Sequence, residues 1–450
     1  MKPLTAWTSI VVAIHCLAVD PDPGTLRRAP VAGNLSEPIA LDVSSDGRAW
    51  IAERRGAIKT WDPVSGTVRE VGRLSVFTGP EDGILGMVLD PGFATNHWIH
   101  LYHSTPGILE NRLSRFTVRE GALDPASQKV LLSVSTRIPK PNHSGGGLDF
   151  DGSGNLYLGV GDYTIVGDSD GYAPLDERPG RAFHDSQRTA GNTDDLHGKI
   201  LRVHPEPDGS FSIPAGNLFA PGTPRTRPEI FVMGVRNPFR LCVDRATGRL
   251  FWGDVGPDAL AADPGRGPAG FDEFNVTRAA GNFGWPYFSA DNRPYVAFDF
   301  ATRTSGTVFD PSRPQNRSPN NTGLVELPPA QPAVLWYPPG FSTRWPALGS
   351  GARSAMAGPV CRPNPAASRH WPSRYDGAVV LWDWERGRIW AAWMDASDRI
   401  ERLEPVAPTD RFLRPIAARF GTDGALLVLE WGSKWSDNRD AGLVRIAPMP

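Results

Sequence analysis

A two-strand pattern recurs along this sequence and limits the folds open to it. In each copy apolar residues alternate with small or polar ones, a turn carrying Asp or Gly follows, and a second alternation completes the pair. The copies are IALDVSSDGRAWIA at 39–52, ILGMVLDPGFATNHWIHLYH at 84–103, LDFDGSGNLYLGV at 148–160, FRLCVDRATGRLFW at 239–252, YDGAVVLWDWERGRIWAAWM at 375–394 and ARFGTDGALLVLE at 418–430. Alternation with period two indicates half-buried antiparallel strands.

Six such units without a helix longer than two turns predict an all-β fold. Radial closure suits them, because it leaves no long exposed sheet edge. We therefore expect a six-bladed β-propeller of four-stranded antiparallel blades, with roughly 70 residues per blade. The alternative, a pair of β-sandwiches, does not explain the repeat. One domain is predicted over 30–450, with a long loop excursion near 302–351 that is rich in Pro, Ser, Asn and Arg.

The ends and the charges of the chain bound its location and partners. Lys+Arg number 47 and Asp+Glu 49, and no basic block is present, which argues against nucleic acid as a partner. Lys2 precedes an apolar run over about 6–19 that is too short to span a bilayer. This pattern predicts a secretory signal peptide at 1–18, and hence a periplasmic or secreted protein without a membrane span. A disordered start is the alternative.

Without the signal peptide two cysteines remain, Cys242 and Cys361. One disulfide between them is possible, but their spacing gives it no support. We expect two buried free thiols.

The segment 141–162, PNHSGGGLDFDGSGNLYLGVGD, carries the strongest candidate for chemistry. Counted outward from the turn at 151–154, His143 and Asp162 fall at mirrored positions at the open end of the hairpin. An imidazole beside a carboxylate is the arrangement of a general base and the group that orients it. The alternative is a solvated loop histidine, but the three glycines after His143 favour a close backbone approach.

Counting outward from the turns of the other hairpins in the same way predicts that further residues lie on that face of the ring. They are Arg236 and Asn237 opposite Gly256 and Pro257, Glu81 and Asp82 near His103, and Arg414 near Glu430. Ionisable side chains that converge on a concave surface predict an active site. Arg236 could equally cap strand carbonyls.

These motifs resemble a known family. NHSGGGLDFDGSGNLYLGVGD, GVRNPFRL, VGPD with FDEFN, and GNFGWP follow the order and spacing found in soluble dehydrogenases that use pyrroloquinoline quinone (PQQ), the glucose/sorbosone dehydrogenase family of six-bladed propellers. EDGILGMVLDPGF and DDLHGKILRV are also similar. RSAMAGPV, YDGAVVLWDWERGRI and FGTDGALLVLEWGS resemble a bacterial branch of the same superfamily.

The resemblance implies a role for each matching residue. His143 corresponds to the general base that takes the proton of the sugar's anomeric hydroxyl, and Asp162 to its orienting carboxylate. Arg236 and Asn237 correspond to the pair that contacts PQQ, and Arg414 to an arginine that binds its carboxylates. The carbonyls of Gly256 and Pro257 correspond to the ligands of a calcium ion.

Three positions depart from the family. A substrate-facing glutamine is replaced by proline or glutamate near Pro80. Glu385 stands where a cofactor-binding lysine is expected, and Ile416 where a second arginine is expected. Because PQQ has three carboxylates, these changes weaken its binding unless Arg386, Arg388 or Arg411 compensates.

Three functions follow from this pattern. The first is a quinoprotein that uses PQQ and calcium to oxidise an aldose to a lactone. The second is a propeller that has lost PQQ and binds a glycan or a protein partner, and the third is a calcium-dependent lactone hydrolase. The pattern leaves the sugar, the electron acceptor and the oligomeric state open, and places substrate contacts in 302–351.

Overall fold

Six small antiparallel sheets, numbered here as blades in chain order, form the body of the protein. A computed structural model describes residues 25–136, 142–362, 364–436 and 438–449. The predicted signal peptide, 1–18, lies outside these residues.

The first three blades follow the first three predicted hairpins. Blade 1 contains Pro38–Val43, Ala49–Glu53, Ala57–Trp61 and Val68–Arg73. Blade 2 contains Ile84–Leu89, Trp98–Ser104, Glu110–Arg119 and Ala122–Ser135. Blade 3 contains Leu148–Phe150, Leu156–Val160, Lys199–Pro205 and Ile230–Met233, extended by Gly281–Asn282 and by Phe211–Ser212.

The remaining blades follow the other hairpins. Blade 4 contains Arg240–Asp244, Arg249–Asp254, Asp272–Thr277 and Leu335–Tyr337, and blade 5 contains Ala355–Val360, Val379–Asp383, Arg388–Met394 and Ile400–Pro405. Blade 6 contains Pro415–Phe420, Leu426–Glu430, Gly442–Pro448 and the N-terminal strand Leu26–Ala32.

The blades close into a ring. The first strand of each blade contacts the first strands of the blades before and after it, and the strand of blade 6 contacts that of blade 1. Leu26–Ala32 pairs antiparallel with Gly442–Pro448, so the two ends of the described chain complete one sheet. The predicted six-bladed β-propeller is therefore confirmed.

Little regular structure lies outside the blades. Two small hairpins, Phe288–Ser289 with Arg293–Pro294 and Val296–Asp299 with Thr304–Val308, are followed by mostly irregular chain up to blade 5. The helical elements of the described residues are one α-helical turn, Phe93–Asn96, and the 3-10 turns Ala182–His184, Ser186–Arg188, Pro346–Leu348 and Ser373–Tyr375. No helix in the described parts of the chain has the length and hydropathy needed to cross a membrane.

Cys242 and Cys361 are buried free thiols, as expected. Burial raises the pKa of Cys361 to about 12, so its thiol stays protonated at neutral pH.

One arginine ties the first strands of four blades together at the centre of the ring. Arg240, on blade 4, is 7% exposed. Its Nε donates to the carbonyl of Ile416 at 3.0 Å, and its terminal nitrogens donate to the carbonyls of Leu85 and Ile39. Burial lowers the pKa of Arg240 to about 9, so the guanidinium is still charged at neutral pH.

Replacing this guanidinium by an apolar chain tests its role. Arg240→Met should lower the free energy of unfolding by about 3 kcal/mol, because carbonyls on blades 1, 2 and 6 lose their donor while remaining buried. Urea denaturation measures the change. Arg399→Ala, at a side chain that is 79% exposed, is the control and should change it by less than about 0.5 kcal/mol. An equally small change in Arg240→Met would contradict the assigned role.

Candidate active site

A polar residue at the end of the second strand recurs around the ring. In five blades it accepts a hydrogen bond from a backbone N–H just before the first strand of the same blade. The pairs are Glu53 with Ser36, Ser104 with Gly83, Asp254 with Asn237, Asp383 with Ser354, and Glu430 with Leu413. These bonds fix the chain where it enters each blade.

Blade 3 uses this position differently. Its second strand ends at Val160, and the carboxylate follows as Asp162. Asp162 Oδ1 lies 2.6 Å from Nδ1 of the His143 ring, on the segment that enters the blade. A position that fixes backbone in the other five blades thus fixes an imidazole here. The hairpin geometry expected from the sequence places these two side chains together.

Asp162 is fully buried, and both of its carboxylate oxygens have hydrogen-bond partners. Its Oδ2 accepts hydrogen bonds from Ser186 Oγ and Trp285 Nε1, both at 2.8 Å. Burial alone would raise its pKa, but the charge and hydrogen bond of His143, the charge of Arg236 and the bond from Trp285 together lower it below the ordinary value. An ionised carboxylate only accepts hydrogen bonds, so His143 donates to Asp162 from Nδ1.

The segment that carries His143 is held by close backbone packing and by Glu81. Glu81 Oε2 accepts hydrogen bonds from the His143 N–H at 2.6 Å and the Ser144 N–H at 3.2 Å. His143 has a φ of 61°. A Cβ on Gly145 would lie 2.5 Å from the carbonyl of Gly159, so this glycine permits the close approach expected from the sequence.

A cavity of about 610 Å³ opens beside His143 on this face of the propeller. Its wall includes Glu81, Arg236 and Asn237 from the predicted set. Asp162 lies behind His143. Asp82 and Glu430 are absent from the wall because they bond elsewhere: Ser104 Oγ donates to Asp82 at 3.0 Å, and Arg28 Nε donates to Glu430 at 2.8 Å.

Arg236 and Asn237 face the cavity with their backbone fixed. Their N–H groups donate to the Asp254 carboxylate at 2.9 and 2.6 Å. Arg236 Nη1 donates to the carbonyl of Val255 at 2.8 Å, and Asn237 Oδ1 accepts from the Gly145 N–H at 3.1 Å. Arg236 therefore caps one strand carbonyl and also contributes positive charge to the cavity.

Gly256 and Pro257 lie in a separate small cavity of about 10 Å³ that Arg236 also borders. The Gly256 N–H donates to Asp272 Oδ1 at 3.0 Å. The Pro257 carbonyl accepts a hydrogen bond from Nη2 of Arg353. A guanidinium thus donates a hydrogen bond to one of the two carbonyls that the resemblance assigns as calcium ligands. A calcium ion would meet a fixed positive charge there, so it does not fit these residues as they stand.

Arg414 lies next to the cavity and is not on its wall. Its Nη1 donates to the carbonyl of Ser433 at 2.8 Å, its guanidinium lies 4.7 Å from the Trp384 ring centre, and Nη2 is 3.8 Å from Glu385 Oε2. Glu385 and Ile416, the two departures from the family, both line the cavity. Arg386, Arg388 and Arg411 do not line it, and Arg386 instead donates to the carbonyls of Leu348 and Pro338.

Several residues on the cavity wall were not among those predicted from the sequence. Arg54 and Arg353 line the cavity, as do the aromatic side chains of Trp384, Trp431 and Trp435. Arg54, Trp384 and Trp431 each directly follow the second strand of a blade, so the repeat itself is a signal that could have found them. Arg353 and Trp435 lie on loops that carry no periodic signal. The described part of 302–351, where substrate contacts were expected, contributes none of the wall residues.

The glucose / sorbosone dehydrogenase family matches residues 35–306. The chain belongs to this family.

Two curated relatives show how far the similarity extends. The aldose sugar dehydrogenase YliI of Escherichia coli is 27% identical over 285 residues, which make up 61% of this chain and 66% of that protein. Quinoprotein glucose dehydrogenase B of Acinetobacter calcoaceticus is 27% identical over 297 residues, or 62% of this chain and 57% of that protein. The chain therefore spans less than two thirds of the length of either relative.

Solved structures show the same fold. The PQQ-bound aldose sugar dehydrogenase of Streptomyces coelicolor has a TM-score of 0.59 at 19% identity, covering 94% of this chain and 99% of that one. The apo form of the soluble aldose sugar dehydrogenase of E. coli has a TM-score of 0.61 at 20% identity, covering 94% and 100%.

Proposed function

We propose that this protein is a periplasmic or secreted quinoprotein that oxidises an aldose at its anomeric carbon to a lactone, with PQQ as cofactor. The observation that carries the proposal is the His143–Asp162 pair, whose imidazole faces a cavity of about 610 Å³. Membership of the glucose / sorbosone dehydrogenase family supports sugar oxidation.

The cavity suits a planar aromatic cofactor, and three arginines on its wall, Arg54, Arg236 and Arg353, could meet anionic groups. Its volume lies within the range of small-molecule sites, and the indole rings of Trp384 and Trp431 supply flat apolar surface. Arg236 and Asn237 would hold the quinone end. Arg414 would reach the carboxylate end only by exchanging its contact with Glu385 for one with the cofactor.

His143 performs the proton transfer. Its Nε2 takes the proton of the C1 hydroxyl while the C1–O bond becomes a carbonyl, and the hydrogen on C1 leaves with two electrons. Asp162 keeps the ring in the required tautomer and stabilises the imidazolium that forms. PQQ, when bound, supplies the two-electron acceptor that this oxidation needs.

Replacing the base tests the proposed mechanism. His143→Gln should lower the turnover number about 10²- to 10⁴-fold, because the variant keeps a donor for Asp162 but has no basic nitrogen. The assay is reduction of an artificial electron acceptor by PQQ-loaded protein with a panel of aldoses. The thermal midpoint should stay within about 2 °C of wild type.

His97→Gln is the matched control, because His97 is exposed and distant from the cavity wall. It should leave turnover unchanged. Wild-type turnover in His143→Gln would refute the role given to this residue.

A propeller that has lost PQQ and binds a glycan or protein partner is the second candidate. The observation that favours it is Glu385, an acidic side chain on the wall whose carboxylate lies 3.8 Å from Arg414. A carboxylate there repels an anionic cofactor and draws a cation away from it.

Reversing this charge distinguishes the two candidates. Glu385→Lys should tighten PQQ binding about tenfold if the carboxylates of PQQ approach this rim. Quenching of tryptophan fluorescence measures the dissociation constant, and Glu404→Lys, on an outer strand, is the control. No PQQ binding by either variant or by wild type would favour the binding propeller.

A further inference from the structure

Arg353 brings a positive charge to the carbonyls that the family resemblance assigns to a metal ion. It precedes the first strand of blade 5, and its side chain is only 6% exposed. Nη2 donates to the carbonyl of Pro257, and Nε lies 3.0 Å from Asp272 Oδ1. The residue also lines the large cavity together with His143 and Arg236.

Asp272 locks this arrangement. Its side chain is fully buried. Oδ1 accepts the N–H of Gly256 at 3.0 Å, and Oδ2 accepts the N–H of Ala355 at 2.8 Å. One carboxylate therefore fixes the backbone before Pro257, the start of blade 5 and the guanidinium between them. Moving Arg353 away would leave a buried carboxylate without its ion pair, which is costly.

The donors around this point suit a guanidinium better than a calcium ion. Calcium takes about six to eight oxygen ligands, but here the Pro257 carbonyl already accepts a hydrogen bond from Arg353, and the Asp272 Oδ1 beside it already accepts the N–H of Gly256. A guanidinium needs fewer partners. Its planar set of N–H donors matches a carbonyl on one side and quinone or carboxylate oxygens on the other.

We propose that Arg353 takes the place of a divalent cation in this protein, so that the cavity binds its anionic quinone cofactor without a metal ion. The identity of the cofactor rests on the proposed function. The exclusion of a metal rests on the contacts of Arg353 and Asp272, which do not depend on the identity of the cofactor.

Calcium binding tests the exclusion directly. Wild type and Arg353→Ala are stripped with a chelator, incubated with calcium and desalted, and the calcium retained per chain is counted. Arg353→Ala should retain one calcium ion more than wild type, and calcium should raise its thermal midpoint more. Equal counts would overturn the proposal, since Arg353 would then displace no ion.

A second variant covers the case in which the single one fails to fold. Arg353→Ala combined with Asp272→Asn removes both charges of the buried pair. Its retained calcium is compared with that of wild type in the same way. Arg344→Ala is the control, because this arginine stacks on Trp336 away from the cavity. It should retain calcium as wild type does.

Titration with PQQ tests the second half of the proposal. For wild type, the dissociation constants in chelator and in calcium should agree within about twofold. For Arg353→Ala in chelator, the dissociation constant for PQQ should be about tenfold higher than that of wild type, and calcium should restore part of the lost affinity. A wild-type affinity that rises tenfold or more with calcium would overturn the proposal. If wild type binds no PQQ in either solution, the proposed function fails, while the calcium count still decides whether Arg353 excludes a metal.

Discussion

Pairing of Leu26–Ala32 with Gly442–Pro448 is the interaction on which the ring depends. It joins the two ends of the described chain in one blade and so completes the four strands of blade 6, whose first strand contacts that of blade 1. Arg28, on the N-terminal strand, also pairs with the buried Glu430 on the same blade. Closure of this kind leaves the ring without a long exposed sheet edge between its first and last blades.

The candidate site grows out of the repeat itself. Five blades use the end of the second strand to fix backbone, whereas in blade 3 Asp162 fixes His143. The same logic explains Asp254, which fixes the backbone of Arg236 and Asn237 in blade 4. Asp272, on the third strand of blade 4, positions Arg353. Buried carboxylates that shape the fold thus place the groups that face the cavity.

Strand periodicity predicted much of this arrangement. The turn at 151–154 and the flanking alternation were sufficient to place His143 beside Asp162, because the pairing of two strands leaves few choices for their open ends. The repeat likewise predicted the six blades. Arg414 shows the limit: its backbone position follows from blade 6, but its long side chain turns to Glu385 and Ser433. Arg353 and Trp435 lie on loops, where no period relates sequence to position.

Central to the proposed function is the hydrogen bond from Nδ1 of His143 to Asp162, which fixes the tautomer of the ring. Nitrogen-15 NMR of protein labelled at histidine tests this most directly, since the two ring nitrogens have distinct shifts in each tautomer. We expect a proton on Nδ1 with a strongly downfield resonance that disappears in Asp162→Asn. A ring with no proton on Nδ1, or a ring spectrum unchanged by Asp162→Asn, would contradict the assigned role of Asp162.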